Sequence, residues 1–199
     1  CIVSDIRMPN CNGIEMVERL PEDAPPVIFV SAYADAEIEN VYSLGIYGSI
    51  PKPFKLPALL GRIEEACLSH EDRLCYRPED VQPRREANFV VKGLSAKLRP
   101  GVLQVRTDSF FLPEVVSGVE PDDYVTVSIA LADSRLKVDA LARVLWIRNT
   151  AGSVTIRGTA LQLFGLKEPV RDAFVKQIRQ AGIPFGTPSR LTLQKGAGA

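Results

Sequence analysis

The stretch VIFVSA (residues 27–32) is a continuous apolar run that follows Pro25 and Pro26 and carries a hydroxyl, Ser31, near its end. An uninterrupted run of this length suits a parallel strand covered on both faces, not a half-exposed antiparallel one. Upstream, Cys1–Val3 is a second short apolar run, ending at Ser4 and Asp5. Between the two, after the Pro9–Gly13 turn, Ile14, Val17 and Leu20 recur at helical spacing. Downstream, Asp35 is placed to cap a helix, DAEIENVYSLG, that stops at Gly45. IYGSI (46–50) reads as a third strand. KLPALLGRIEEACL (55–68) reads as an amphipathic helix with Leu56, Leu59, Leu60, Ile63 and Cys67 on one stripe. Strands alternating with helices define an α/β fold, here a partial doubly wound parallel sheet over residues 1–70.

From Glu71 to Pro83 the pattern lapses into a charged, proline-containing stretch, read as a linker. Residues 84–183 differ in kind. YVTVSIAL (124–131) alternates strictly, with Val125, Val127, Ile129 and Leu131 on one face. RLKVDALARVLWIR (135–148) places Leu136, Val138, Ala140, Ala142, Val144 and Trp146 on one face of a long half-buried strand. SVTIRGTALQLFGL adds another strand, with Gly158 marking a bulge or a close backbone approach. A helix then starts at Pro169 and turns Val170, Phe174 and Ile178 inward as far as Gly182. This half reads as a small β-barrel or sandwich closed by a C-terminal helix, and residues 184–199 as a disordered tail.

The composition is that of globular material, and the formal net charge is zero, which removes any global electrostatic case for nucleic acid or an anionic membrane. The balance is uneven along the chain: −5 over residues 1–70 and +5 over residues 84–183. The four cysteines (Cys1, Cys11, Cys67, Cys75) show neither metal-ligand spacing nor the density of a disulfide scaffold, so free thiols in a reducing cytoplasm are expected. The sole histidine, His70, falls at a helix end. No apolar run approaches the ~20 residues of a membrane helix.

Three polar residues sit at or just beyond the ends of the three apolar runs: Asp5, Ser31 and Lys52. Open α/β sheets place their sites in the crevice at that edge. A carboxylate there can act as a nucleophile toward phosphorus, while a hydroxyl and an ammonium can bond and balance the transferred oxygens.

SDIRMPNCNGIEM, PVIFVSAYAD and IPKPF together resemble the three C-terminal signatures of the receiver domain of two-component response regulators, over residues 1 to about 70. The resemblance implies that Asp5 is the phosphoacceptor for a sensor histidine kinase, with Ser31 and Lys52 on the phosphoryl group. It also implies a cis Lys52–Pro53 bond, and a Mg²⁺ held by Asp5 and the Arg7 carbonyl. Two features depart from the family. The acidic pair that supplies the other metal ligands is not in this sequence, which reads as a receiver truncated at its N-terminus. The usual aromatic residue three positions before the lysine is Ser49, with Tyr47 one pleat repeat away on the same side of the strand.

Residues 84–180 resemble a PilZ domain, a barrel with a terminal helix. Such domains bind cyclic di-GMP through an Arg-Arg-x-x-x-Arg-like segment and a later Asp/Asn-x-Ser-x-x-Gly. Here Arg84 and Arg85 are present, but the next arginine position reads Asn88 or Phe89. Aligning Ser109 with the motif serine puts Thr107 and Leu112 at the other two places. The expectation is a non-enzymatic cytoplasmic regulator whose PilZ-like part works by contact with a protein partner, without binding DNA or entering a membrane. The alternatives are a cyclic di-GMP effector using Arg84, Arg85 and Ser109, and a phosphorylation-independent scaffold.

Overall fold

Short apolar strands with polar ends can satisfy their backbone only by pairing side by side, and in the first part of the chain they do so in parallel. The computed structural model describes residues 1–9, 12–21, 24–32, 41–42, 44–97, 99–105, 109–150 and 156–183. The chain divides into two compact units that part between Cys67 and Leu68.

In the first unit β1 (Ile2–Ser4), β2 (Val27–Ser31) and β3 (Gly48–Pro51) form a parallel sheet in that order, with Ile2 opposite Val27 and Ile28 opposite Gly48. Ile28 and Phe29 are fully buried, each worth about 2 kcal/mol of apolar burial. Helix α1 (Gly13–Arg19) is capped by Asn12, whose side chain accepts from the Ile14 N–H, and Val17 is its buried apolar residue. The helix expected to begin at Asp35 lies largely outside the described residues; Val41 and Tyr42 are helical, and Gly45 takes the left-handed φ of 81° expected at its end.

Helix α2 (Leu56–Cys67) turns only part of the expected stripe inward. Leu56 and Leu60 are exposed at 63% and 49%, and Cys67 is exposed. The covered residues are Arg62, Glu65 and Ala66, with Leu59 and Ile63 packed beside them. A polar cluster takes the inner face because Gly48 leaves room for it: a Cβ there would lie 3.1 Å from an Arg62 nitrogen. Glu65 accepts from the Tyr47 hydroxyl at 3.2 Å and stands 3.7 Å from Arg62 Nε. Tyr47 packs with Ile28, Ile50 and Ala66, whereas Ser49 is registered with Phe29, whose ring faces Gly13 of α1. The two residues therefore do not share a side; Tyr47 precedes the regular part of the strand, and its alternation does not extend to it.

In the second unit seven strands form a curled half-barrel in the order β4-β8-β9-β10-β7-β6-β5, with a C-terminal helix. They are β4 (Glu86–Val91), β5 (Leu94–Ser95), β6 (Leu103–Val105), β7 (Phe110–Leu112), β8 (Tyr124–Leu131), β9 (Leu136–Arg148) and β10 (Gly158–Phe164). The centre is antiparallel, but β4 on β8 and β5 on β6 are parallel. Val125, Val127, Ile129 and Leu131 all enter the core, as their alternation requires. Helix α3 (His70–Cys75) opens this unit and runs into the segment 71–83, and its Leu74 joins the same core. His70 is thus the first residue of a helix capped by Ser69, not a residue at a helix C-terminus. Helix α4 (Glu168–Gln180) buries Phe174, Val175 and Ile178 and sets Phe174 against Phe110, ring centroids 5.5 Å apart.

The long strand β9 changes phase. Its register with β10 shifts between Ala160, opposite Trp146, and Leu161, opposite Val144, so Leu145 is the extra residue of a bulge. Val138, Ala140, Ala142 and Val144 face the core, but beyond the bulge it is Ile147 that packs against it. Trp146 lies on the other face, stacked on Phe111 at 5.2 Å with the Arg148 guanidinium 5.2 Å above its ring. Gly158 begins β10 and is a close approach: a Cβ there would lie 2.2 Å from the Leu112 carbonyl oxygen and 2.5 Å from the Phe111 ring. Gly158→Ala is expected to destabilise the second unit by about 3 kcal/mol, because backbone must move to admit the methyl. Urea unfolding followed by the fluorescence of Trp146, the only tryptophan, measures it.

Candidate functional site

Because β1, β2 and β3 run parallel, their C-terminal ends share one edge, and Asp5, Ser31 and Lys52 all reach it. Ser31 is registered with Pro51, and the Lys52 N–H donates to the Ser31 carbonyl at 2.9 Å. The Lys52 ammonium lies 2.5 Å from Asp5 Oδ2, and the Arg7 N–H donates to Oδ1 at 3.1 Å. The Asp5 side chain is one-third exposed and Lys52 somewhat more, while Ser31 is buried. The structure thus joins Asp5 and Lys52 directly and brings Ser31 to the same edge on the neighbouring strand.

Local sequence makes this possible. Gly13 follows the Asp5 loop and donates its N–H to the Ile6 carbonyl at 2.8 Å. A Cβ on Gly13 would come 2.4 Å from the Asp5 carbonyl oxygen and 2.9 Å from Phe29, so only glycine lets α1 start this close. The Lys52–Pro53 peptide is cis, the form the receiver resemblance implies. At Ser49 the backbone N–H donates to the Tyr42 hydroxyl at 3.2 Å, so a phenol approaches the position from another element.

The Lys52 hydrogen bond holds the Asp5 carboxyl below the usual aspartate range, with the Arg7 N–H adding to it. Such a depression means that the pair stabilises the fold above the unfolded-state pKa, and that this contribution is lost as pH falls through the lower folded-state pKa. At neutral pH the site therefore presents an ionised, reachable oxygen nucleophile beside a cation. In a carboxyl-carbon NMR titration Asp5 is expected to titrate below an ordinary aspartate, and Lys52→Met is expected to move it upward.

Mg²⁺ takes about six oxygen ligands in near-octahedral geometry. This sequence offers the Asp5 carboxylate and the Arg7 carbonyl, and among the described residues no group of three or more His, Cys, Asp or Glu could hold a metal ion. These residues do not by themselves fit the ion.

In the second unit the residues expected to bind a nucleotide are engaged within the chain. Arg84 Nε pairs with Asp123 at 2.9 Å, and Arg85 donates to the Ser117 hydroxyl at 3.1 Å and to its carbonyl. Among the described residues neither arginine has a hydrogen bond or ion pair with Ser109, which precedes β7. Leu112 is a core residue, and Thr107 lies outside the described residues.

Sequence reasoning missed Arg143. It is fully buried on the outer side of β9, donates to the side-chain amide oxygen (Oε1) of Gln162 and at 3.2 Å to the Tyr124 hydroxyl, and lies 5.1 Å from the Phe164 ring centroid. Its position, alternating with core residues, reads as solvent-facing; only its apolar neighbours Leu141 and Leu145 hint at cover. Arg143→Ala is expected to destabilise the unit by about 3 kcal/mol, through lost packing and a buried amide left without its donor. The same tryptophan-detected unfolding reads this.

Residues 1–64 match the response regulator receiver domain family. Over 92 residues the chain is 35% identical to the DNA-binding transcriptional regulator NtrC of Proteus hauseri, covering 45% of this chain and 18% of that protein. It is 33% identical over 112 residues to the transcriptional regulatory protein FixJ of Bradyrhizobium diazoefficiens, covering 49% and 55%. It is 40% identical over 75 residues to the nisin biosynthesis regulatory protein NisR of Lactococcus lactis subsp. lactis, covering 36% and 32%. No solved structure matches the chain. The class of the first unit is thus defined: the N-terminal part of the chain is response regulator receiver domain. The second unit is a β half-barrel with a C-terminal helix. The chain spans under a fifth of the NtrC proteins it matches and about half of FixJ. Among the described residues no helix is long and apolar enough to cross a membrane.

Proposed function

We propose that the protein is a response regulator in which Asp5 accepts a phosphoryl group from a sensor histidine kinase and the second unit relays the change to a protein partner. The observation that carries this reading is the contact of Asp5 with Lys52 at the C-terminal edge of a parallel sheet, within the segment that matches receiver domains. An Asp5 carboxylate oxygen attacks the phosphorus of a phosphohistidine. The P–N bond breaks with its electron pair returning to the imidazole nitrogen, and an acyl phosphate is left on Asp5. Lys52 then exchanges the carboxylate for the phosphoryl oxygens, to which Ser31 can also donate. The protein is a signalling substrate in this step, not an enzyme, and a cytoplasmic location gives it access to the kinase.

The second unit is assigned a PilZ-type output role that works by protein contact. The engagement of Arg84 with Asp123 and of Arg85 with Ser117 supports contact over cyclic di-GMP binding, because a nucleotide would have to displace both. Phosphotransfer measured on a chain carrying a whole receiver domain that includes these residues tests the proposal. An added phosphoryl mass on Asp5, lost in Asp5→Asn, is expected. Labelling that survives Asp5→Asn, or none at all with several kinases and small phosphodonors, overturns it. Calorimetric binding of cyclic di-GMP that Arg84→Ala abolishes would replace the contact reading of the second unit with the ligand reading.

A further inference from the structure

A cavity of about 590 Å³ opens in the second unit between the segment leading into β4, the strands β8 and β9, and the start of α4. That volume lies within the ~300–1,000 Å³ range of small-molecule sites. Its apolar walls include Val81, Leu141 and Val170, and its charged lining residues are Arg77, Lys167 and Asp139. None of Arg84, Arg85 and Ser109 lines it.

The cavity wall is held in place. The Gly165 N–H donates to the Tyr76 carbonyl and the Leu166 N–H to the Leu74 carbonyl, both at 2.8 Å, so the backbone just before Arg77 is tied to the end of β10. Gly165 has a left-handed φ of 69°, and a Cβ on it would lie 3.4 Å from Arg77 Cγ and Nε; the arginine stem runs across bare backbone. Lys167 is the N-cap residue of the 13-residue helix α4, and its side chain makes no capping bond.

The charges do not cancel inside the cavity. Asp139 is already committed: Lys137 lies 3.2 Å from it. A hydrogen bond from Ser128, then the one from Lys137, holds its carboxyl below the usual range, with a smaller attraction from Lys167. Arg77 and Lys167 have no hydrogen bond or ion pair through their side chains among the described residues. Two cations thus stand over apolar walls with no carboxylate reserved for them.

The geometry points to a binding site for an organic anion: a ligand with an apolar, ring-sized body and a phosphate, sulfonate or carboxylate group. The body lies against Val81, Leu141 and Val170, and the anionic group takes the Arg77 guanidinium and the Lys167 ammonium. Because Arg77 and Val81 come from the segment before β4 and Leu141 from β9, an occupant fastens that segment to the sheet. Neither Asp5 nor the residues considered for cyclic di-GMP is part of the site.

Two fluorescent probes that share a ring system test this on the full chain: anilinonaphthalene sulfonate, and its uncharged counterpart N-phenyl-1-naphthylamine. The sulfonate is expected to bind saturably, one per chain. Arg77→Ala and Lys167→Ala are each expected to weaken it by about tenfold, the effect of losing one charge-assisted contact, while affinity for the neutral probe stays unchanged. Leu141→Trp, which fills the cavity, is expected to remove both probes with the far-ultraviolet circular dichroism retained. The proposal is overturned if the sulfonate fails to saturate at one per chain, or binds both charge variants as it binds the original. It is equally overturned if the neutral probe weakens in step with the charged one, since recognition would then not rest on the two cations.

Discussion

The contact between Asp5 and Lys52 joins residues 47 positions apart in sequence, and the geometry of the first unit is organised around it. Their meeting requires three strands to run the same way, so that the C-terminal ends of all three share one edge. It also requires the loop after Asp5 to turn at once into α1, which the bare backbone of Gly13 permits. The carboxylate accepts from the Arg7 N–H and the Lys52 ammonium, and the strand that carries Lys52 is tied to Ser31 through its backbone. A carboxylate held in this way is oriented by the fold itself, and in the proposed phosphotransfer little reorganisation would be left for it.

Much of this edge was legible in the sequence, because the information lies in residue types at strand ends and in unbroken apolar runs. The strand VIFVSA, the alternation of residues 124–131 and the α4 residues Phe174 and Ile178 express a simple rule in which burial follows period. Where the reading departed from the structure, a second constraint outweighed the period. In α2 the absent side chain of Gly48 makes room for Arg62 and Glu65, and Leu56 and Leu60 turn outward. In β9 a single extra residue, Leu145, inverts the two faces, so Trp146 leaves the side that Val144 occupies. A bulge leaves no mark in a pattern of mostly apolar residues, and it becomes visible only when the partner strand is counted. Helix α3 is too short, at six residues, to show periodicity.

Around Arg143 and Arg148 the outer face of the second unit's sheet is covered, while Lys137, Asp139 and Val90 elsewhere on the sheet are exposed. Arg143 is packed against Tyr124, Gln162 and Phe164, and Arg148 covers the stacked Phe111 and Trp146. In both places a guanidinium lies on aromatic rings, which suits arginine better than lysine because its planar group stacks and is weakly hydrated. At these two places the sheet carries packed side chains on both faces, and substitutions of Arg143 or of the Phe111–Trp146 pair are expected to be felt nearly as strongly as those in the core.

The strand order also constrains how the second unit can be made. β4 and β5 are separated by only Lys92 and Gly93, yet they stand at opposite ends of the seven-stranded order. β4 finds its neighbour only when β8 has been synthesised, and β7 is joined to the long antiparallel strands only by β10, the last strand. A chain emerging from the ribosome must therefore hold β4 without its neighbour until β8 exists, and one edge of β7 open until β10 exists. Such non-local pairing slows folding and leaves strand edges open while it lasts. The early strands β5, β6 and β7 are accordingly short, at two or three residues each, which limits the edge they offer to other chains during that wait.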